Sequence, residues 1–502
     1  MPLAFNPGMN RQLPPVSDWR ARHLALGVTH GDYLPQDIVQ TVIARVRAFN
    51  PVLNALVDID EAGALDQAGA LRSRLDAGEH LPMAGVPFTV KDNLWVDGRP
   101  ATQGSLLFRD QVAPRDSWPV ERLRQAGAIC IGITNTPEFA CKGMTDNLLH
   151  GVTRNPWDTR LTPGGSSGGA VAAVAAGLGP VALGTDAGGS TRRPAAHTGL
   201  VGFKCTLGLI PNPWGFEDPS HDLSSVGLIA RDVEDIALML DALAQYHPGD
   251  PLSHPLPRSM QVADPFMGAI TGARLRRAPR VAFSPDLGCG FAVDDDVARA
   301  VQDAVDAIAA TGIEVESAQP RWSPGTFEYP LVAVQQAGLA ALYGDAWRAA
   351  PDRFDPDIAA QIEAGLSRSG ADIARMAMRR NEMRVTVQRF FEQFDFLLCP
   401  TAPVEAWPCE GGAPQSIGGR PASARGHAAF TPLFNYADVP AISVPCGVGR
   451  NGLPVGLQII APRYGDAELI GFAAQVQSIL GVRLDSPMIL SQPAATIGAT
   501  RE

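Results

Sequence analysis

Between residues 35 and 49 the apolar side chains Ile38, Val42, Val46 and Phe49 recur every three to four positions. That spacing lines one face of an α-helix, and Pro35 suits its first turn, where no intrahelical N–H is required. Residues 62–76, rich in Ala and Leu, predict a second helix, and 120–126 a third. The short run 86–91 is β-branched and aromatic and predicts a strand ending at Lys91. Residues 128–134 predict a buried strand, with a loop and helix opening at Thr134-Asn135-Thr136-Pro137-Glu138. Residues 169–177 place small side chains between glycines, the pattern of a helix packed closely on a neighbour. A strand over 180–184 leads directly into the Gly-rich turn before Ser190.

A Pro/His-rich stretch, 247–258, interrupts this alternation. Beyond it the pattern predicts strand 280–283, helix 295–311, strand 313–317, a helical run over 329–391, and strands 394–399, 441–444 and 456–460. Residues 401–431 are rich in Pro and Gly without a period and predict a long loop, the kind of segment that walls a pocket. No internal repeat is visible. Strands alternating with helices predict an α/β fold: one large mixed β-sheet flanked by helices on both faces, in a single compact domain with an additional helical layer. The expected boundaries are a tail over 1–25, a main domain over 26–485 and a tail over 486–502. Within the main domain, core motifs fall at 85–240, an additional segment at about 258–395, and a C-terminal sheet and helix at 395–480.

Composition narrows the function classes. A net charge of -11 and the lack of any Lys/Arg-rich run argue against nucleic-acid or anionic-membrane partners, both of which require neutralised phosphate charge. No stretch of about 18 apolar residues predicts a membrane span, and the first residues do not have the pattern of a signal peptide. The seven cysteines are odd in number and scattered, without a CxxC pair, which favours reduced thiols and a cytoplasmic setting. The nine histidines form no HxxxH or Cys/His cluster, which disfavours a zinc site.

Candidate chemistry sits in three stretches: Lys91-Asp92-Asn93 at a strand end, the run Pro163 to Gly169 containing Ser166 and Ser167, and Gly184-Thr185-Asp186-Ala187-Gly188-Gly189-Ser190. They supply one lysine and several serines on Gly-rich backbone and no histidine. Gly188 and Gly189 let a tight turn aim N–H groups inward, as an oxyanion site requires, and Ser190 follows as a nucleophile or as a surface serine of a plain turn. Lys91 is either a solvated strand cap or, if buried beside serines, a base of lowered pKa. Gly164-x-Ser166-x-Gly168 also matches the nucleophile elbow of a Ser–His–Asp esterase, which would need a preceding strand and one of His197, His221, His254 or His427. The segment before it does not read as a strand.

Taken together, these stretches resemble the amidase signature enzymes over about residues 30–480. The matching runs include 85–93 (GVPFTVKDN), 134–139 (TNTPEF), 163–177 (PGGSSGGAVAAVAAG), 184–208 (GTDAGGSTRRPAAHTGLVGFKCTLG), 399–403 (CPTAP) and 452–462 (GLPVGLQIIAP). The resemblance implies a Ser–cis-Ser–Lys triad of Ser190, Ser166 and Lys91, with the Gly165–Ser166 peptide bond cis. It further implies an oxyanion hole from the backbone N–H groups of Ala187, Gly188, Gly189 and Ser190, with Ser167 supporting the network. Asp186 and Arg192 either pair to hold the loop or are surface charges. Thr191 stands where the family commonly has Ile. The implied activity is hydrolysis of the C–N bond of a linear amide, carbamate or aryl amide, without metal or organic cofactor, with small-molecule amide and water as the partners. Met144, Thr145, the helix near 329–342, Trp407, Phe430 and Phe434 are the candidate pocket walls, and they favour an apolar or aromatic group. The alternatives are a glutaminase-type component of a tRNA-dependent amidotransferase and an inactive scaffold of the same fold. The oligomeric state is open, a homodimer included.

Overall fold

The computed structural model describes residues 12–272, 278–324 and 331–492. Its strands are β1 (Leu56–Ile59), β2 (Pro87–Lys91), β3 (Ile129–Thr134), β4 (Val181–Asp186), β5 (Val201–Lys204), β6 (Ser225–Ala230), β7 (Val281–Phe283), β8 (Val315–Ser317), β9 (Phe396–Pro400), β10 (Ser416–Ile417), β11 (Arg420–Pro421), β12 (Ala441–Val448) and β13 (Pro454–Ile460). Eleven of them form one sheet in the order β1-β3-β2-β4-β6-β5-β12-β13-β9-β7-β8, and β10 and β11 form a small hairpin. Pairing is parallel for β3-β2-β4 and for β9-β7-β8, and antiparallel for β1-β3 and from β4 through β13 to β9. The sheet is therefore mixed, as the alternation of elements predicts.

The first helices are α1 (Ala21–His30), α2 (Pro35–Leu53), α3 (Glu61–Asp76), α4 (Trp118–Gln125), α5 (Gly168–Ala175), α6 (Arg192–Thr198) and α7 (Val233–Leu243). Strand alternation sends Ala182 and Ile229 to one face of the sheet, where they pack with Ala170, Val174 and Ala195 of α5 and α6. Val181, Leu183 and Leu228 point to the opposite face and join the main core with Val233 to Leu243. β2 and β4 are buried along their whole length, which explains why both read as unbroken short apolar runs. The close packing expected of α5 is explicit at Gly169, where a Cβ would fall 2.5 Å from the backbone N and O of Asn135.

The next helices are α8 (Pro265–Thr271), α9 (Asp295–Ala310), α10 (Leu331–Ala349), α11 (Pro356–Leu366), α12 (Gly370–Phe390), α13 (Pro432–Tyr436), α14 (Asp466–Leu480) and α15 (Pro487–Leu490). The single helical run expected over 329–391 is instead α10, α11 and α12, and its first two residues lie outside the described ones. Pro351 and Pro356 separate the first two helices, and a capping box between Ser369 and Asp372 starts the third. The long loop 401–431 holds the β10–β11 hairpin and a 3₁₀ turn at Gly426–Ala428.

The expected tails are corrected at their inner ends. Trp19, Ala21, Leu24 and Val28 are core residues, and Asp235 accepts from the N–H groups of Ala21 (2.9 Å) and Arg22 (3.2 Å) at the start of α1. At the other end Ser486 caps α15, Ile489 is buried, and Arg45 donates to the carbonyls of Met488 and Ser491, both at 3.0 Å. Residues 1–11 and 493–502 lie outside the described ones. Among the described residues, no helix is long and apolar enough to cross a membrane.

Candidate active site

β2 and β4 are parallel neighbours, with Val90 opposite Leu183, so their C-terminal ends bring Lys91 and Thr185 to one edge of the sheet. Lys91 is wholly buried there. Its Nζ stands 2.7 Å from Ser166 Oγ and donates to Thr185 Oγ1 at 2.9 Å. Thr185 Oγ1 also accepts from Asn93 Nδ2 at 2.9 Å. Burial pushes the Lys91 ammonium down from 10.5 to about 7, against the opposing pull of Asp186. In the neutral amine the lone pair accepts from the Ser166 O–H while an N–H still reaches Thr185.

Ser166 sits in the loop that feeds α5, and the Gly165–Ser166 peptide bond is cis. Thr136 Oγ1 donates to Ser166 O at 3.1 Å. Thr145 Oγ1 donates to Gly164 O at 2.9 Å and accepts from Gly168 N at 3.1 Å, so both ends of the loop are held. Ser167 N donates to Ser190 O at 3.0 Å, and Ser167 Oγ donates to Thr185 O at 3.2 Å. Ser167 thus ties the two serine loops together.

Asp186 and Arg192 are a fully buried ion pair, not surface charges. Arg192 Nε reaches Asp186 Oδ2 at 3.0 Å and Nη2 reaches Oδ1 at 2.9 Å, a bidentate pair. The same guanidinium donates to Gln458 Oε1 (2.7 Å), Asn435 Oδ1 (2.6 Å) and Thr431 O (3.2 Å). Burial alone would push the Asp186 carboxyl up, but Arg192 and the surrounding donors hold it well below the usual carboxylate range. Its Oδ1 also takes the N–H of Gly189 at 2.6 Å. The expected oxyanion donor at Gly189 is therefore engaged elsewhere, while Ala187, Gly188 and Ser190 face the cavities. Gly189 itself has φ +104, and a Cβ there would fall 1.9 Å from Thr431 Oγ1.

Ser190 lies where two cavities meet. The larger, about 400 Å³, is lined by Lys142, Met144, Arg193, Gln361, Arg425 and His427 among others. The smaller, about 180 Å³, is lined by Ser166, Thr185, Phe139, Ile210, Phe216 and Asp218 among others. Ala140, Cys141, Ala187 and Ser190 belong to both. Of the expected walls, Met144 is in place. Thr145 is spent on the Ser166 loop. Trp407 is buried edge-on to His197 and tilted on His427. Phe430 and Phe434 are fully buried in a second hydrophobic cluster with Leu397 and Ile460. Aromatic residues next to a long loop here fill core, and the cavity walls carry more charge than the sequence suggests.

No strand directly precedes Ser166, and its side chain meets Lys91. His197 is buried, and burial together with Arg193 pushes it down to about 3, so it stays neutral against Trp407. This geometry does not match the esterase elbow. Thr185 and Asn93 are functional neighbours that the sequence does not single out, although both lie inside the candidate runs, because a threonine at a strand end carries no signal of its own.

The fold and the buried lysine–serine site define a hydrolase acting on carbon–nitrogen bonds in linear amides. The family model described as Amidase matches residues 37–470, and the chain belongs to that family. It is 37% identical over 472 residues to the acylamidase of Rhodococcus erythropolis, covering 91% of this chain and 95% of that relative. It is 34% identical over 481 residues to one of the subunits of the glutamyl-tRNA(Gln) amidotransferase from an Azoarcus species, covering 90% and 96%. A solved bacterial aryl acylamidase superposes with a TM-score of 0.85 at 26% identity, over 96% of this chain and all of that one.

Proposed function

We propose that the protein hydrolyses a linear amide through a seryl acyl-enzyme, with Ser190 as nucleophile, Ser166 as proton carrier and Lys91 as base. The observation that carries this reading is the 2.7 Å contact between Lys91 Nζ and Ser166 Oγ in a fully buried setting. Neutral Lys91 takes the Ser166 proton, Ser166 takes that of Ser190, and the Ser190 oxygen bonds to the carbonyl carbon. The N–H groups of Ala187, Gly188 and Ser190 donate to the resulting oxyanion. The proton returns through Ser166 to the amide nitrogen, the C–N bond breaks and the amine leaves. Water, deprotonated by the same chain of groups, attacks the acyl carbon and releases the acid and Ser190.

The smaller cavity suits an apolar or aromatic arm, packed against Phe139, Ile210 and Phe216. Aryl amides and carbamates of that shape are the first substrates to try. Seven free cysteines fit a reducing, cytoplasmic setting. Labelling with a serine-directed fluorophosphonate followed by peptide mapping tests the assignment. One adduct on Ser190, lost in Lys91→Ala and Ser166→Ala, is the expected result. An adduct on Ser166 or Ser167 instead would overturn it.

Thr185 holds Lys91 in place and, as an acceptor, favours its charged form. Thr185→Val is expected to lower kcat about tenfold, the worth of one buried hydrogen bond. It should also move the midpoint of the pH–rate profile to lower pH, a change that simple loss of packing would not produce.

The glutaminase reading has support from the amidotransferase relative at 34% identity. Ammonia release from free glutamine by this chain alone, at a rate above that from aryl amides, would favour it.

A further inference from the structure

The two cavities that meet at Ser190 differ in charge. Lys142, Arg193 and Arg425 line the larger one, with Asp146 and Asp357, both paired to Lys142. Among the described residues lining the smaller one there is no lysine or arginine, and its carboxylates are Glu217, Asp218 and Asp250. Asp250 is spent on the backbone, accepting from Asn212 N and Leu252 N at 2.8 Å each. Asp218 is different. Its Oδ1 accepts from Ser220 N at 2.9 Å and its carbonyl from His221 N at 3.0 Å, which fix the segment between β5 and β6 over the lobe. Its Oδ2 is buried and accepts no hydrogen bond of normal geometry, with the Ser224 hydroxyl as its polar neighbour.

We propose that Asp218 is a specificity-determining residue that selects amides whose arm in the smaller lobe ends in an ammonium group. The proposal rests on the amide-hydrolase reading of Ser190. A buried carboxylate oxygen without a partner is unfavourable, and a charge-assisted hydrogen bond from a ligand removes that penalty. Burial pushes Asp218 up to about 7, against the Ser220 and Ser224 donors and the charge of Lys91. The walls around it, Phe139, Ile210, Phe216 and Leu252, suit a methylene chain. Arg193 and Arg425 disfavour an ammonium in the larger lobe, so charge also sets which way round the substrate lies.

Three amides of matched length test this: 5-aminopentanamide, hexanamide and adipamate, titrated calorimetrically into full-length Ser190→Ala protein, which cannot turn them over. The ammonium compound should bind at least tenfold more tightly than hexanamide, and Asp218→Asn should not weaken adipamate, whose carboxylate lies with the cations of the larger lobe. In Ser190→Ala with Asp218→Asn the first ratio should fall to about one. Equal or tighter binding of hexanamide, or an unchanged ratio in the Asp218→Asn protein, overturns the proposal. The ratio of kcat/KM for the first two amides, with and without Asp218→Asn in the otherwise native chain, gives the same decision if the Ser190 variant does not fold. The amidase reading fails separately, by turnover of no amide and no adduct on Ser190, while the binding ratios still decide the role of Asp218.

Discussion

Lys91→Ala is expected to lower kcat/KM for every amide the protein turns over by about 10⁴-fold or more, with the fold intact. Removal of one member of a nucleophile–base unit costs about as much as removal of several, because the members act together. In the proposed mechanism the lysine is the base, and it is in direct contact with a serine of the site. The pH dependence distinguishes this role from packing. Burial lowers Lys91 to about 7, so the neutral amine that accepts a proton predominates above that pH and is lost below it. The wild-type rate should therefore rise about tenfold per pH unit below 7, pass half-maximum near 7 and level off on the alkaline side. A profile of kcat/KM from pH 5 to 9 measures it. Survival of the same inflection in Lys91→Ala would assign the titration to another group and remove the lysine from the mechanism.

Arg192→Met should be among the most destabilising single changes in the chain. The guanidinium is fully buried and serves the Asp186 carboxylate, Gln458, Asn435 and the Thr431 carbonyl at once. Its removal leaves an ionised carboxylate in the interior with no opposite charge. Breaking a buried pair in this way costs about 3–5 kcal/mol. Asp186 must then take up a proton, so the loss is greatest at neutral and alkaline pH, where the wild-type carboxylate is ionised, and smaller in acid. Chemical denaturation midpoints at pH 5 and 8 report both the size and the sign. Asp186→Asn added to Arg192→Met should recover part of the loss, because the uncompensated charge is gone. A midpoint within experimental error of wild type would show that the pair does not hold the Ser190 loop.

How much is legible in the sequence follows from how local each signal is. β2, β4 and α5 read correctly because wholly buried strands and small-residue helices are visible as continuous patterns. α1 escapes such a reading because a ten-residue helix with only one face in the core looks like a polar tail, and its tie is to Asp235, far along the chain. The 329–391 run looks like one helix because composition stays helical through it, although Pro351 and Pro356 are there to break it. At the site, Lys91, Ser166 and Ser190 stand out by motif. The depth of Asp186 and Arg192 does not, since their burial depends on Asn435 and Gln458, which no local pattern connects to them. Phe430 and Phe434 mislead for a related reason: an aromatic side chain beside a loop does not say which side of the loop it fills.

The span of the Arg192 network bears on biosynthesis. The lysine and both serines have all been translated by residue 190, yet the groups that complete the cage around Arg192 come from Thr431, Asn435 and Gln458, the last of them 266 positions downstream. A nascent chain halted anywhere between α6 and β13 carries Lys91, Ser166 and Ser190 but not yet the full cage around Arg192. In the proposed mechanism, hydrolytic competence is then expected only late in synthesis, once β13 is made, which would spare the cell an active fragment during most of translation.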